Sequence, residues 1–93
     1  MINNIIPVFC ENIPEDILNG YLYISEEHGI AIHLCACGCG RQAVTPLMPY
    51  WNDEWTIINN NGLITLRPSI GNFIGEKRYH AHYFITNNKI EWL

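Results

Sequence analysis

Ninety-three residues, 48% apolar and only 15% charged, describe a compact globular chain with a small core. A net charge of −4 with five Lys and Arg argues against a nucleic-acid partner, because phosphate binding needs a basic face. No stretch approaches a membrane span. The opening MINNIIPVFCENIPED lacks the basic region, apolar run and cleavage site of an export signal, so the cytoplasm is the expected compartment.

In chain order, IIPVFC is an apolar run interrupted by Pro7, which suits a first or edge strand. IPEDILNG predicts one helical turn, with Glu15 and Asp16 early and Gly20 closing it. YLYIS and GIAIHL then read as two strands joined by the turn EEHG, and QAVTP as a further short strand. LMPYWNDEW is a loop bearing proline and aromatic residues, in which Trp51 and Trp55 are core or rim aromatics. WTII and LITLR flank NNNG, whose Asn-Gly end supplies the positive φ angles of a tight hairpin. YHAHYFIT and KIEWL flank NN as a second short hairpin, and the turn-rich PSIGNFIGEK lies between the two hairpins. The expected fold is therefore mostly β, one domain over residues 1–93, made of short antiparallel strands and hairpins.

Chemistry concentrates first in HLCACGCGRQ, residues 33 to 42. Clustered cysteines in a reducing compartment bind metal or act catalytically more often than they form disulfides. Cys35, Cys37 and Cys39 are too close to pair comfortably with one another, and Cys10 is distant. The glycines of CGCG let the backbone curl until three sulfurs converge. Zinc takes four such ligands, so a fourth must come from His80 on YHAHY or from His33. His80 is favoured, because a remote ligand joins distant parts of a small chain, where a metal stabilises most. The expected role of the zinc is structural, stapling a core too small to stand alone. Buried thiols without metal, or a reactive cysteine activated by Arg41 or a histidine, are the competing readings.

The second constellation is RPSIGN followed by YHAHYFI. His80 and His82 are two apart on a strand and so share a face. Ser69 follows Pro68 in a glycine-containing turn, whereas Ser25, the other serine, ends a strand. A serine becomes nucleophilic when a histidine within hydrogen-bond reach accepts its proton, which makes Ser69 and His82 the catalytic candidates. Amides near Gly71 or Asn72 are candidates for stabilising an oxyanion. Asp53, Glu54 and Glu76 are all available to orient the histidine, and the sequence does not choose among them. A turn serine bonded to backbone and a core histidine are the plainer readings of the same residues.

Taken together, YLYISEEHGIAIHLCACGCG, TPL, LRPSIGN and HYFI with IEW resemble a small bacterial and phage family, one branch of which is called BubE. The resemblance runs from about Gly20 to Trp92. It implies a serine-type peptidase, encoded beside bacterial ubiquitin-like conjugation proteins and acting on the ubiquitin-like partner or its conjugates. It further implies that Cys35, Cys37 and Cys39 form the cysteine motif, that Ser69 is the PSIGN serine and that His82 is the histidine of the HY strand. One departure stands out. Family members read Cys-x-Ser-His-Tyr around the last motif, where this chain reads YHAHY, so Ala81 occupies the serine position and His80 replaces the cysteine with a shift of one residue. If the working serine of the family is the one at position 81, this chain is inactive or altered there; if it is the PSIGN serine, the chemistry is intact. The leading expectation is acyl transfer through Ser69 and His82. The alternatives are a non-catalytic, zinc-stapled interaction module and a metal-dependent hydrolase with Glu76 or Glu54 as base.

Overall fold

The computed structural model describes residues 1–48, 55–73 and 79–93. Among the described residues the chain is all β, in two four-stranded sheets. The first contains β1 (Ile6–Phe9), β2 (Tyr21–Ser25), β3 (Ile30–Leu34) and β4 (Gln42–Pro46), and the second β5 (Thr56–Asn60), β6 (Leu63–Phe73), β7 (Tyr79–Thr86) and β8 (Lys89–Trp92). In both sheets spatial order follows chain order. That is what short turns between β-branched segments produce, since consecutive strands then pair directly.

The turns explain the hairpins. Asn61 and Gly62 have φ of 54° and 88°, and Asn87 and Asn88 have φ of 48° and 64°. Two successive positive φ angles match the twist of the flanking strands, which is why Asn-Gly and Asn-Asn sit there. β2 and β3 form the expected antiparallel pair around EEHG, and β4 adds to β3 in the same sense.

Three details differ from the sequence expectations. Residues 13–20 form bends and a turn where a helical turn is predicted. One isolated turn does not repay its nucleation cost without a buried apolar face, and Leu18 is exposed. The Leu18 amide instead donates to the Tyr23 hydroxyl at 3.1 Å. Second, β1 pairs parallel to β2, in contrast to the antiparallel ladders elsewhere, because the whole of residues 10–20 separates them in place of a tight turn. Third, Ser69 lies inside β6, not in a turn between hairpins. The strand continues past Pro68 by absorbing a register shift between Leu66 and Ile70. The LMPYWNDEW loop between Met48 and Trp55 lies outside the described residues, as do Asp53, Glu54 and Glu76.

The core forms between the sheets. Leu22, Ile24, Ala31, Cys35 and Ala36 from the first half meet Ile64, Leu66, Ile70, Tyr83, Ile85 and Ile90 from the second in a single buried cluster. β7 shows how the alternation works. Ala81, Tyr83 and Ile85 are buried, and His82, Phe84 and Thr86 between them are only half-buried. Two isolated bridges, Asn4 with Lys89 and Leu47 with Trp55, are among the contacts that tie the sheets together.

Gly62 tests the hairpin logic. A Cβ added there meets nothing within 4 Å, so the cost of Gly62→Ala is the left-handed backbone alone. The substitution is expected to lower stability by about 1–2 kcal/mol in urea unfolding, without changing the slope of the transition.

Candidate active site

The loop between β3 and β4 carries the cysteines and is closed by its own backbone. The Cys35 amide donates to the Arg41 carbonyl at 2.8 Å, and the Gly38 amide to the Cys35 carbonyl at 3.0 Å. Gly38 and Gly40, on either side of Cys39, have φ of 89° and 82°. Side-chain-bearing residues rarely adopt that conformation, so these two glycines make the tight path possible. The path gathers the Cys35, Cys37 and Cys39 sulfurs within 4.8 Å of one another, with Cys35 and Cys37 at 3.3 Å. None of the four cysteines is in a disulfide.

The donor set suits a soft metal ion. Three thiolates about 2.3 Å from a tetrahedral zinc stand about 3.8 Å apart, close to the observed spacing. Desolvation first, then hydrogen bonds from the neighbouring thiols, push the Cys37 thiol up to about 11. A cation bound among the sulfurs would favour the thiolate form instead. The three cysteines can hold a metal ion.

His33 is held elsewhere. Its Nε2 lies 2.7 Å from the Tyr83 hydroxyl, and burial pushes its pKa down to about 4, which keeps the ring neutral. It is not among the side chains whose ligand atoms gather at the cysteine cluster. The Tyr83 hydroxyl also accepts the Ala36 amide at 3.3 Å. The cysteine loop is thus fastened to β7, the strand that carries His80 and His82. His80 lies on β7 at a second register shift, where Asn72 faces Ala81 and Phe73 faces Tyr79. Its side chain lies outside what is described.

On the other face of β7, Ser69 and His82 meet. Ser69 Oγ is 2.8 Å from His82 Nε2. Register explains the contact. Gly71 stands directly opposite His82, and Ser69, two residues before it, lies on the same face in the diagonal position. Because the opposite residue is glycine, it contributes no side chain to the space the imidazole crosses. The His82 carbonyl accepts the Leu93 amide at 3.0 Å, which fixes the strand from its other side. Ser25 has a different life. It is fully buried, donating to the Glu11 carbonyl at 2.6 Å and accepting from the His28 amide at 3.3 Å.

Sequence reasoning brought together Ser69 and His82, and grouped the three cysteines. It missed Tyr83, Arg67 and Trp55, which brace these groups. Pro68 within an otherwise strand-like run was the one available signal that the chain leaves its ladder beside Ser69.

The fold and the site define a small all-β protein that pairs a hydrogen-bonded serine and histidine with a cysteine cluster suited to a metal. A profile of the family described as bacterial ubiquitination-like system serine protease (BubE) matches residues 9–93. The chain belongs to that family. Comparison with curated proteins and with solved structures gives no match.

Tyr83→Phe tests the fastening of the cysteine loop. The substitution leaves His33 Nε2 and the Ala36 amide buried without the hydroxyl they share. The expected loss is about 1–3 kcal/mol of stability, read as a lower midpoint in chemical unfolding.

Proposed function

We propose that the chain is a serine-type peptidase that processes a bacterial ubiquitin-like protein or removes it from conjugates, with Ser69 as nucleophile and His82 as general base. The observation that carries this reading is the 2.8 Å contact between Ser69 Oγ and His82 Nε2, in a chain of the BubE family. Ser69 Oγ attacks the scissile carbonyl carbon while its proton passes to His82 Nε2. His82 then gives that proton to the leaving amine as the carbon–nitrogen bond breaks. Water, deprotonated by the same histidine, hydrolyses the Ser69 ester and restores the site. The family's setting in a ubiquitination-like system supports a ubiquitin-like protein as substrate.

The metal reading belongs to the same proposal. Cys35, Cys37 and Cys39, with His80 as fourth ligand, would hold one zinc. Two backbone facts support His80. It lies two residues from His82 on β7, the strand to which Tyr83 ties the cysteine loop. It also falls where the register shifts, so regular alternation does not dictate its direction. A closed shell rich in thiolates makes zinc a poor Lewis acid and a good staple, and its contribution is to hold the loop against β7. The cytoplasm, whose reducing conditions keep cysteines as thiols, is the compartment this site suits.

Two expected outcomes test the chemistry and the metal separately. Ser69→Ala and His82→Ala should each reduce cleavage of a ubiquitin-like precursor by about a thousandfold or more, followed by intact-mass spectrometry. The double variant should be no worse than either single one, because residues acting as a unit fail together. Both variants should keep their metal. A Ser69→Ala protein that still cleaves would overturn the nucleophile. For the metal, elemental analysis should find one zinc per chain, and Cys37→Ser should lose it together with several degrees of melting temperature.

A further inference from the structure

The contact between Ser69 and His82 depends on where β6 leaves its ladder. Between the paired positions Leu66–Ile85 and Ile70–Tyr83, β6 has three residues, Arg67, Pro68 and Ser69, and β7 has only Phe84. Two extra residues must therefore bulge, and such a bulge has no ladder bonds of its own to fix its shape. Pro68 adds none, since it lacks an amide hydrogen.

Two side chains take over that task. Arg67 Nη1 donates to the Leu66 carbonyl at 2.9 Å and to the Ile85 carbonyl at 3.2 Å, and Nη2 donates to Thr86 Oγ1 at 2.9 Å. Its guanidinium lies 4.5 Å over the Phe84 ring, on the face of β7 that also carries His82. One planar fork thus binds both strands at the mouth of the bulge. At its apex, Trp55 Nε1 donates to the Pro68 carbonyl at 3.1 Å. Trp55 is itself fixed through its backbone to the end of β4, where its amide donates to Pro46 and its carbonyl accepts from Met48.

We propose that Arg67 and Trp55 are positioning residues that set the place of the Ser69 hydroxyl relative to His82. The inference rests on the reading of Ser69 as nucleophile and His82 as base. Neither side chain touches the reacting atoms. Arg67 fixes the two strands where they part, and Trp55 holds the carbonyl immediately before Ser69. The work needs Arg specifically, because an ammonium cannot reach three acceptors in one plane. It needs the indole N–H of Trp55 in the same way.

The experiment compares wild type, Trp55→Phe, Arg67→Lys and Ser69→Ala as full chains. A fluorophosphonate probe reports the nucleophile. Ser69 Oγ displaces fluoride at phosphorus, and the hydroxyl proton passes through His82 to solvent. Long-range proton–nitrogen NMR of the His82 ring reports the contact without any reaction. Trp55→Phe and Arg67→Lys are each expected to slow labelling about tenfold or more per folded molecule, as misplacement of a reacting group does. Their His82 ring signals should move toward those of Ser69→Ala. A purely structural role lowers the melting temperature and leaves both readings where they were. Either residue whose variant keeps the wild-type labelling rate and His82 signals is not a positioning residue. Wild-type protein that the probe does not label at Ser69 overturns the nucleophile reading. In that case the His82 signals of the variants alone decide whether Arg67 and Trp55 hold the contact. Should Arg67→Lys fail to fold, Trp55→Phe carries the decision.

Discussion

The Tyr83 hydroxyl joins three parts of the chain that sequence distance keeps apart. It sits on β7 in the second sheet, meets His33 on β3 in the first, and accepts the amide of Ala36 inside the cysteine loop. All of this happens in the buried interior, where an unmade hydrogen bond is costly, so the three parts take up their positions together. The ring contributes as well, packing edge-on against His33 and Trp92. A core this small has few ways to fix the distance between its sheets. A phenol reaching across that core is one, and a metal held by the adjoining loop would be a second.

The same strand serves the other side of the molecule. Because successive side chains alternate, β7 presents Tyr83 inward to the cysteine loop and His82 outward to Ser69. The fastening of the cysteine loop and the serine–histidine contact are therefore one residue apart in sequence and on opposite faces. A displacement of β7 along its own axis would disturb both. Breaking the cysteine cluster is in this sense connected to the serine–histidine contact, although the two lie on opposite faces of β7.

How much of this was legible in the sequence follows from what is local. Asn61-Gly62 and Asn87-Asn88 specify their hairpins because positive φ is a property of two adjacent residues, readable from their identities. The cysteine loop was legible for the same reason, its curl residing in Gly38 and Gly40. Register is different. The bulge at Arg67, Pro68 and Ser69 depends on which residues of β7 stand opposite, and no single segment contains that information. The segment PSIGN consequently reads as a turn, whereas Ser69 lies inside β6. The helical turn over 13–20 failed for another reason. Its acidic start and glycine end resemble helix boundaries, but the segment has no apolar face for the core to stabilise.

The alternation of β7 also bears on Ala81, the position where the resemblance to the family breaks down. Ala81 is buried on the Tyr83 face, and His82 points the other way. A hydroxyl at position 81 would enter the interior beside Tyr83, away from the side where the His82 ring meets Ser69. Two neighbouring residues of a strand cannot turn their side chains to the same face without a bulge between them, and the shift in β7 falls before Ala81, not after it. The hydroxyl that meets His82 in this chain is the one on β6. Gly71, directly opposite His82, brings no side chain of its own to that contact. The bulge then has a chemical consequence. It sets a serine in the middle of a paired sheet without tying the backbone of that serine to the regular ladder, and the place of the hydroxyl passes to the side chains that hold the bulge.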